Sequence, residues 1–350
     1  MSGNTFGSSV RRLTLTLAIV GGSPLAAQVD LSGTYDVGTL TPLERAEVHG
    51  ENLYLTADEA AEIEAQAAAF VARRSEASDP SRDAPEAGGR IGGYNMFWID
   101  RGETATSVDG RFRTSILSRP ANGRRPPMTP EGAARLEGLL DAWRIVWRNP
   151  DPTTTRNDGT AWWLELEGPG PYDNLEQRPM AERCLFGSRS TAGPPMLPNI
   201  YNNHKTIVQT ETHVMILTEM NHDARVVHLA PEEPKGTVPA LLGTSFGRWE
   251  GDTLVVTTRG FKDIPPLSGA SENLEVVEWL SRREDGGLDY RFEVSDPTVW
   301  TESWGGEYGW RPSDGKVYEY ACHEGNYALG NVMRGARALE REAAGNRTGE

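Results

Sequence analysis

The sequence predicts a mainly β protein of the α+β class: an antiparallel meander or lipocalin-like barrel with an N-terminal helical and loop-rich extension. Three observations carry this expectation. From residue 205 onward, short runs of alternating apolar and polar residues are joined by tight turns. The 350 residues include 38 Gly, 23 Pro and 10 Trp, which suits many turns and aromatic contacts better than a helical bundle. Helix-start signals are read at Thr56 and Thr129, both in the N-terminal part of the chain.

The elements follow in order. Arg11 and Arg12 precede a short apolar run, Leu13 to Val20, and Leu25-Ala26-Ala27-Gln28 offers a small-residue cleavage site. Residues 1–27 therefore read as a secretory signal, with the mature chain starting at Gln28 and the protein exported to the periplasm or secreted. Asp30 to Tyr35 reads as a short strand with a turn. Thr56-Ala57-Asp58-Glu59 is a capping box that opens a helix to about Arg74. Residues 75–90 form a polar linker. Tyr94 to Trp98 and Phe112 to Leu117 read as strands, and Asn122-Gly123 as a turn. Thr129-Pro130-Glu131 starts a second helix to about Trp147, because proline suits the first helical position. Residues 149–200 are rich in Pro and Gly and read as long loops.

Residues 205–350 are expected to form the barrel-like region, with 28–204 packed on it. Thr206 to Glu219 has strand composition, and Arg225 to Leu229 follows a turn at Asn221-His222-Asp223. Glu250-Gly251-Asp252 joins Ser245–Trp249 to Thr253–Thr258, and Glu284-Asp285-Gly286-Gly287 joins Leu274–Arg283 to Leu288–Ser295. Lys316 to Cys322 reads as a last strand and 328–343 as a terminal helix. No later segment is apolar enough to span a membrane. The net charge of −15 argues against nucleic acid and anionic membrane surfaces, which need a basic patch.

Cys184 and Cys322 are the only cysteines. In an exported chain they are most simply one disulfide, worth on the order of 4 kcal/mol through the long loop it closes. The rival is a free catalytic thiol beside His323, which an oxidising compartment disfavours.

One set of motifs spans nearly the whole mature chain. It comprises Asp30-Leu31-Ser32-Gly33, Thr41-Pro42-Leu43-Glu44-Arg45, Tyr94-Asn95-Met96-Phe97-Trp98, Arg113-Thr114-Ser115 and Gly123-Arg124-Arg125-Pro126-Pro127. Arg178 to Cys184, Tyr201-Asn202-Asn203 and Glu219 to Arg225 follow. Gly247 to Leu254, Glu272-Asn273-Leu274, Asp296-Pro297 and Tyr318 to Tyr327 complete it. This set resembles a large family of exported bacterial proteins, abundant in acidobacteria and related groups. The resemblance carries no established reaction. The chain departs from the family pattern where relatives resemble Glu-Asn-Leu-His-(Leu/Val)-Val-Glu-Arg: Glu275 replaces the His and Trp279 the Arg.

Strand alternation puts Leu274, Val276, Glu278 and Leu280 on one face, with Glu275, Val277 and Trp279 opposite. Glu278 among inward aliphatics needs a partner such as Arg or Tyr. The candidate acids and bases are Glu275, Glu278, His222, His323 and Glu324. Arg113, Arg183, Arg225, Asn203, Tyr320 and Asn326 are candidate substrate contacts. They suggest a cofactor-independent lyase, dehydratase or hydrolase acting on a small molecule or saccharide. A non-catalytic binding protein with a lipocalin-like pocket is the alternative. His222, His228, His323 and Glu324 could supply metal ligands, but no HxH, HExxH or CxxC spacing appears, so no metal site is assigned. The site is expected where the Arg183–Cys184 loop, the Asn221–Arg225 turn, the Glu275–Glu278 strand and the Cys322–Asn326 motif meet.

Overall fold

A computed structural model of the chain describes residues 1, 28–77, 81, 83, 96–147, 160–165, 167–168, 170–185, 193–230, 238–263 and 265–347. The expected export signal lies outside these residues apart from residue 1, as does most of the expected linker 75–90. Among the described residues the strands are β1 (Gly33–Asp36), β2 (Ser107–Val108), β3 (Arg111–Phe112), β4 (Leu117–Arg119), β5 (His204–Gln209) and β6 (His213–Thr218). They continue as β7 (Ala224–Leu229), β8 (Thr244–Glu250), β9 (Thr253–Arg259), β10 (Glu275–Arg282), β11 (Leu288–Ser295) and β12 (Trp304–Pro312). The helices are α1 (Ala57–Ser75), α2 (Pro130–Trp147) and α3 (Tyr327–Arg347).

Nine strands close into a barrel. Its order is β1-β5-β6-β7-β8-β9-β10-β11-β12, and β12 returns to β1 through Tyr35↔Pro312 and Asp36↔Arg311. The 28–204 segment thus supplies the stave that closes the ring. It also supplies β4, which pairs with the other end of β12. Closure gives each of the nine ring strands a neighbour on both sides. Every pairing in the ring is antiparallel except β7 with β8, which run parallel through Val227↔Ser245 to Leu229↔Gly247. A plain meander does not produce that seam, because parallel neighbours cannot be joined by a tight hairpin turn.

Sequence and structure differ at five elements. β12 was not assigned from the sequence, where Trp304-Gly305-Gly306-Glu307-Tyr308-Gly309 carries three glycines. Its glycines serve close packing: a Cβ at Gly305 or Gly306 would stand 2.3 Å from the carbonyl oxygen of Phe292 or Ile116. Thr206 to Glu219 is a hairpin rather than one strand. Its turn, 210–212, lacks Gly, Pro and Asn, and the Thr210 hydroxyl closes it by bonding the His213 carbonyl and amide (both 3.0 Å). Lys316 to Cys322 is an extended loop outside any ladder. Of the two early strands, 96–98 is a 3-10 turn and Phe112 to Leu117 is split between β3 and β4.

The barrel interior is filled. Val256, Val276, Leu280, Leu288, Phe292, Val294, Tyr308 and Trp310 are fully buried. The rings pack at angles, with Tyr290 4.9 Å from Trp310 and 5.6 Å from Tyr308. One loop also enters the core, placing buried Met196 and Leu197 there.

A polar chain fastens that loop. Glu278 faces inward, as the alternation of β10 requires, and meets both expected kinds of partner. Arg225 donates to it through Nη1 (2.5 Å) and Nη2 (3.1 Å), and the Tyr290 hydroxyl donates at 2.6 Å. The Met196 amide donates to the Tyr290 oxygen (2.8 Å), and the Tyr308 hydroxyl donates to the Met196 carbonyl (2.7 Å). Burial pushes both tyrosine hydroxyls well above their ordinary range, so they remain donors. The charge pair meets the condition for tolerating burial, since both carboxylate oxygens are engaged.

Candidate functional site

The Tyr318–Tyr327 motif leaves the barrel and is pinned against it. Ser313 N donates to Thr34 O (2.9 Å) and Tyr318 N to Glu219 Oε1 (3.0 Å). Cys322 is bonded to Cys184, with Cα atoms 5.8 Å apart. Asn326 completes the join: its Nδ2 donates to Glu182 O (2.8 Å), and its Oδ1 accepts from Leu329 N (3.3 Å) in the first turn of α3. The side-chain oxygen caps a free helical amide while the nitrogen ties the helix start to the disulfide loop.

This pinned segment forms one side of an open pocket of about 440 Å³. Trp98, Tyr201, Tyr318 and Tyr320 give it four aromatic lining residues, with Asn202, Ala321, Cys322 and Gly325 between them. Among the described lining residues Glu319 is the one ionisable carboxylate, and none is Lys, Arg or His. Trp98 and Tyr318 meet edge to face, centroids 6.2 Å apart. Trp98 is 56% exposed and Tyr318 49% exposed, which is unusual for rings this large.

Behind the pocket wall lies a row of titratable groups on the barrel's outer face. Lys205 and Ile207 point into the barrel, so alternation turns His204 outward. Register places His204 opposite Asp36 on β1, and Asp36 opposite Arg311 on β12. Arg311 pairs with Asp36. His204 Nδ1 lies 3.4 Å from Glu219 Oε2, and its Nε2 lies 3.1 Å from Ser313 Oγ. The hydrogen bond to Glu219 raises the His204 pKa, against the opposing effect of burial. Burial pushes the Glu219 carboxyl up, but hydrogen bonds from His204 and the Tyr318 amide outweigh it and hold it below its ordinary range. Burial, then the Asp36 carboxylate, raises Asp100.

The expected site residues fall into separate places. Tyr320 and Cys322 line the pocket, and Cys184 and Asn326 brace it. Arg183 is half-buried on the same bracing loop. Arg225 and Glu278 meet inside the barrel, away from that pocket lining. Glu275 is on the outer face and pairs with Arg259 at 3.3 Å; Trp279 lies under the Arg291 guanidinium. Buried Arg113 pairs with Glu307 at 2.6 Å. Asn203 spends its amide on the Asp100 and Asn199 carbonyls and the Asn199 amide. His222, His323 and Glu324 are exposed. The four segments expected at one place meet instead as two pairs: the Arg183–Cys184 loop with the Cys322–Asn326 motif, and the Asn221–Arg225 turn with the Glu275–Glu278 strand inside the barrel.

Trp98, Tyr201, His204 and Glu219 were not singled out from sequence as site residues. His204 sits alone between Asn203 and Lys205, with no spacing signal, and its partners arrive only through strand register. Chemically, the pocket offers π-faces and one acid, while the His204–Glu219 pair offers a proton carrier beside it. Among the described residues no helix is long and apolar enough to cross a membrane. No protein-family model matches the chain, and no curated protein matches it.

Proposed function

We propose that this protein is an exported small-molecule binding protein, allied to the family its motifs resemble, that holds a neutral or cationic ring-bearing ligand at the aromatic pocket. The observation that carries the reading is the lining: four aromatic side chains and one carboxylate, with no cation among the described lining residues to receive an acid. Aromatic faces attract the C–H faces of sugars and organic cations alike, and a nearby carboxylate accepts a hydroxyl or ammonium donor. The filled barrel interior turns the site outward, away from a lipocalin-like cavity. The disulfide is compatible with export. Calorimetric titration of the full chain against neutral saccharides, quaternary ammonium compounds and uronates tests this. Neutral or cationic ligands bind and uronates do not, and Trp98→Ala weakens binding at least tenfold without lowering the melting temperature. Preferential uronate binding, or equal affinity in Trp98→Ala, overturns it.

A second reading, acid–base catalysis on the same ligand, is favoured by the His204–Glu219 pair beside the pocket wall. There, His204→Gln would abolish turnover while leaving ligand affinity unchanged. This is the acid–base chemistry expected from the sequence, moved to a different histidine.

A further inference from the structure

The geometry points to a first-row transition-metal site on the outer face of the barrel, built from His213 and His228. These residues are cross-strand partners in the β6–β7 hairpin. His213 Nε2 and His228 Nδ1 lie 3.1 Å apart. A metal bound to both at about 2.0–2.1 Å would subtend an N–metal–N angle of about 95–100°. That angle suits cis ligands of a tetragonal Cu(II) or Ni(II) centre, with water filling the remaining positions.

The surroundings prepare one of the two rings. Thr212 Oγ1 lies 2.9 Å from His213 Nδ1 and can accept its proton. That tautomer leaves Nε2 bare, which is the state a metal needs. In the metal-free hairpin, His228 Nδ1–H then donates to His213 Nε2. Metal binding requires only that the proton on His228 move to Nε2, so both ligands stay neutral and no co-reactant is involved. His228 is held on its far side by Phe246, whose ring stacks at 6.0 Å and 29°. The pair therefore has one ring oriented by a hydroxyl and one by an aromatic face, and rigid strands set the spacing between them. Imidazole nitrogen selects Cu(II) over Zn(II) and Ni(II) by ordinary ligand preference, and excludes Ca(II) and Mg(II), which require oxygen. This site stands apart from the aromatic pocket, and neither proposal depends on the other.

The test is titration of the full-length chain with CuCl₂ and NiCl₂, read by calorimetry and by the nitrogen hyperfine splitting of the Cu(II) electron paramagnetic resonance spectrum. One equivalent of Cu(II) with nitrogen ligation is expected, bound more tightly than Ni(II). His213→Gln and His228→Gln should each weaken that equivalent at least tenfold. His222→Gln and His323→Gln, altering exposed histidines elsewhere, should leave it unchanged. A Cu(II)-dependent rise in melting temperature that vanishes in His213→Gln would confirm that the metal joins β6 to β7 in the folded state. Retained affinity in both His213→Gln and His228→Gln, or no bound equivalent in the parent chain, overturns the proposal. His213 is exposed, so its substitution is a sound test even if His228→Gln folds poorly.

Discussion

The barrel interior and the aromatic pocket use the same residue types to opposite ends. Inside, Arg225, Glu278, Tyr290 and Tyr308 form a chain that ends on the backbone of Met196. In the pocket, Trp98 and Tyr318 stand half exposed around open volume. Titratable groups in a β-barrel therefore do not mark a site by their presence. What marks a site is aromatic surface and polar capacity left facing a concavity, whereas a network engaged on both sides is a fastener. The interior should then respond to mutation in stability and the pocket in binding.

The largest effect belongs to the fastener. Glu278→Ala leaves the Arg225 guanidinium buried without its carboxylate and strips Tyr290 of its acceptor. Breaking one partner of such a pair costs about 3–5 kcal/mol. Urea denaturation should show that loss. Replacing both groups, as in Arg225→Met with Glu278→Met, should recover much of it, because well-packed apolar residues substitute for a buried ion pair at little cost. If the double variant is as unstable as the single one, the pair acts through more than mutual neutralisation, and the loop at Met196 is the next place to look.

The disulfide comes next and links the two regions. Its partners are 138 residues apart, so it restricts a long loop of the unfolded chain. Cys184→Ser with Cys322→Ser should cost about 2–4 kcal/mol. It should also weaken ligand binding at the pocket, since Cys322 lies in the lining and Asn326 braces the bonded loop. Glu278→Ala, by contrast, should leave the affinity of the remaining folded protein unchanged. Equal binding losses in both variants would erase the distinction between fastener and site.

Much of this architecture was legible in the sequence, and the failures share a cause. Alternation placed Glu278 inward and named its partners, because a two-residue period is a local property. The hairpins around Gly251 and Gly286 were legible because both turns place glycine at positive φ. The disulfide followed from cysteine count. β12 was missed because its glycines weaken a strand pattern, although Gly305 and Gly306 are there to let neighbouring backbones approach. The 210–212 turn was lost because a threonine hydroxyl does the work expected of glycine or asparagine. The pocket was legible only on its Tyr320–Cys322 side, because Trp98 and Tyr201 are distant from that motif in sequence and no local period connects them to it. His204 could have been found by one further step: if Lys205 and Ile207 face the core, the histidine before them faces out, beside a turn carrying Glu219.

The smallest effect is the sharpest test of that polar row. The Glu219 hydrogen bond raises the His204 pKa above its ordinary 6.5. Below pH 6.5 the imidazole is protonated in both folded and unfolded chains, and its pairing with Glu219 contributes fully to stability. Between the unfolded and folded values the native state holds the extra proton, so stability falls as pH rises through the folded value. Asp100, also raised, acts with the same sign but starting near pH 3.8. Lys205 acts with the opposite sign: burial pushes it down to about 7, so from there to 10.5 the unfolded chain binds the extra proton and stability rises with pH. The overall slope near neutrality is therefore a contest, and the informative quantity is the difference between the parent and His204→Gln. That difference should be greatest near pH 6 and shrink as the medium becomes alkaline, in melting temperatures taken from pH 5.5 to 9. A difference that is flat with pH would mean that His204 is held to Glu219 only as a neutral hydrogen-bonding group. It would also remove the proton carrier on which the catalytic reading depends.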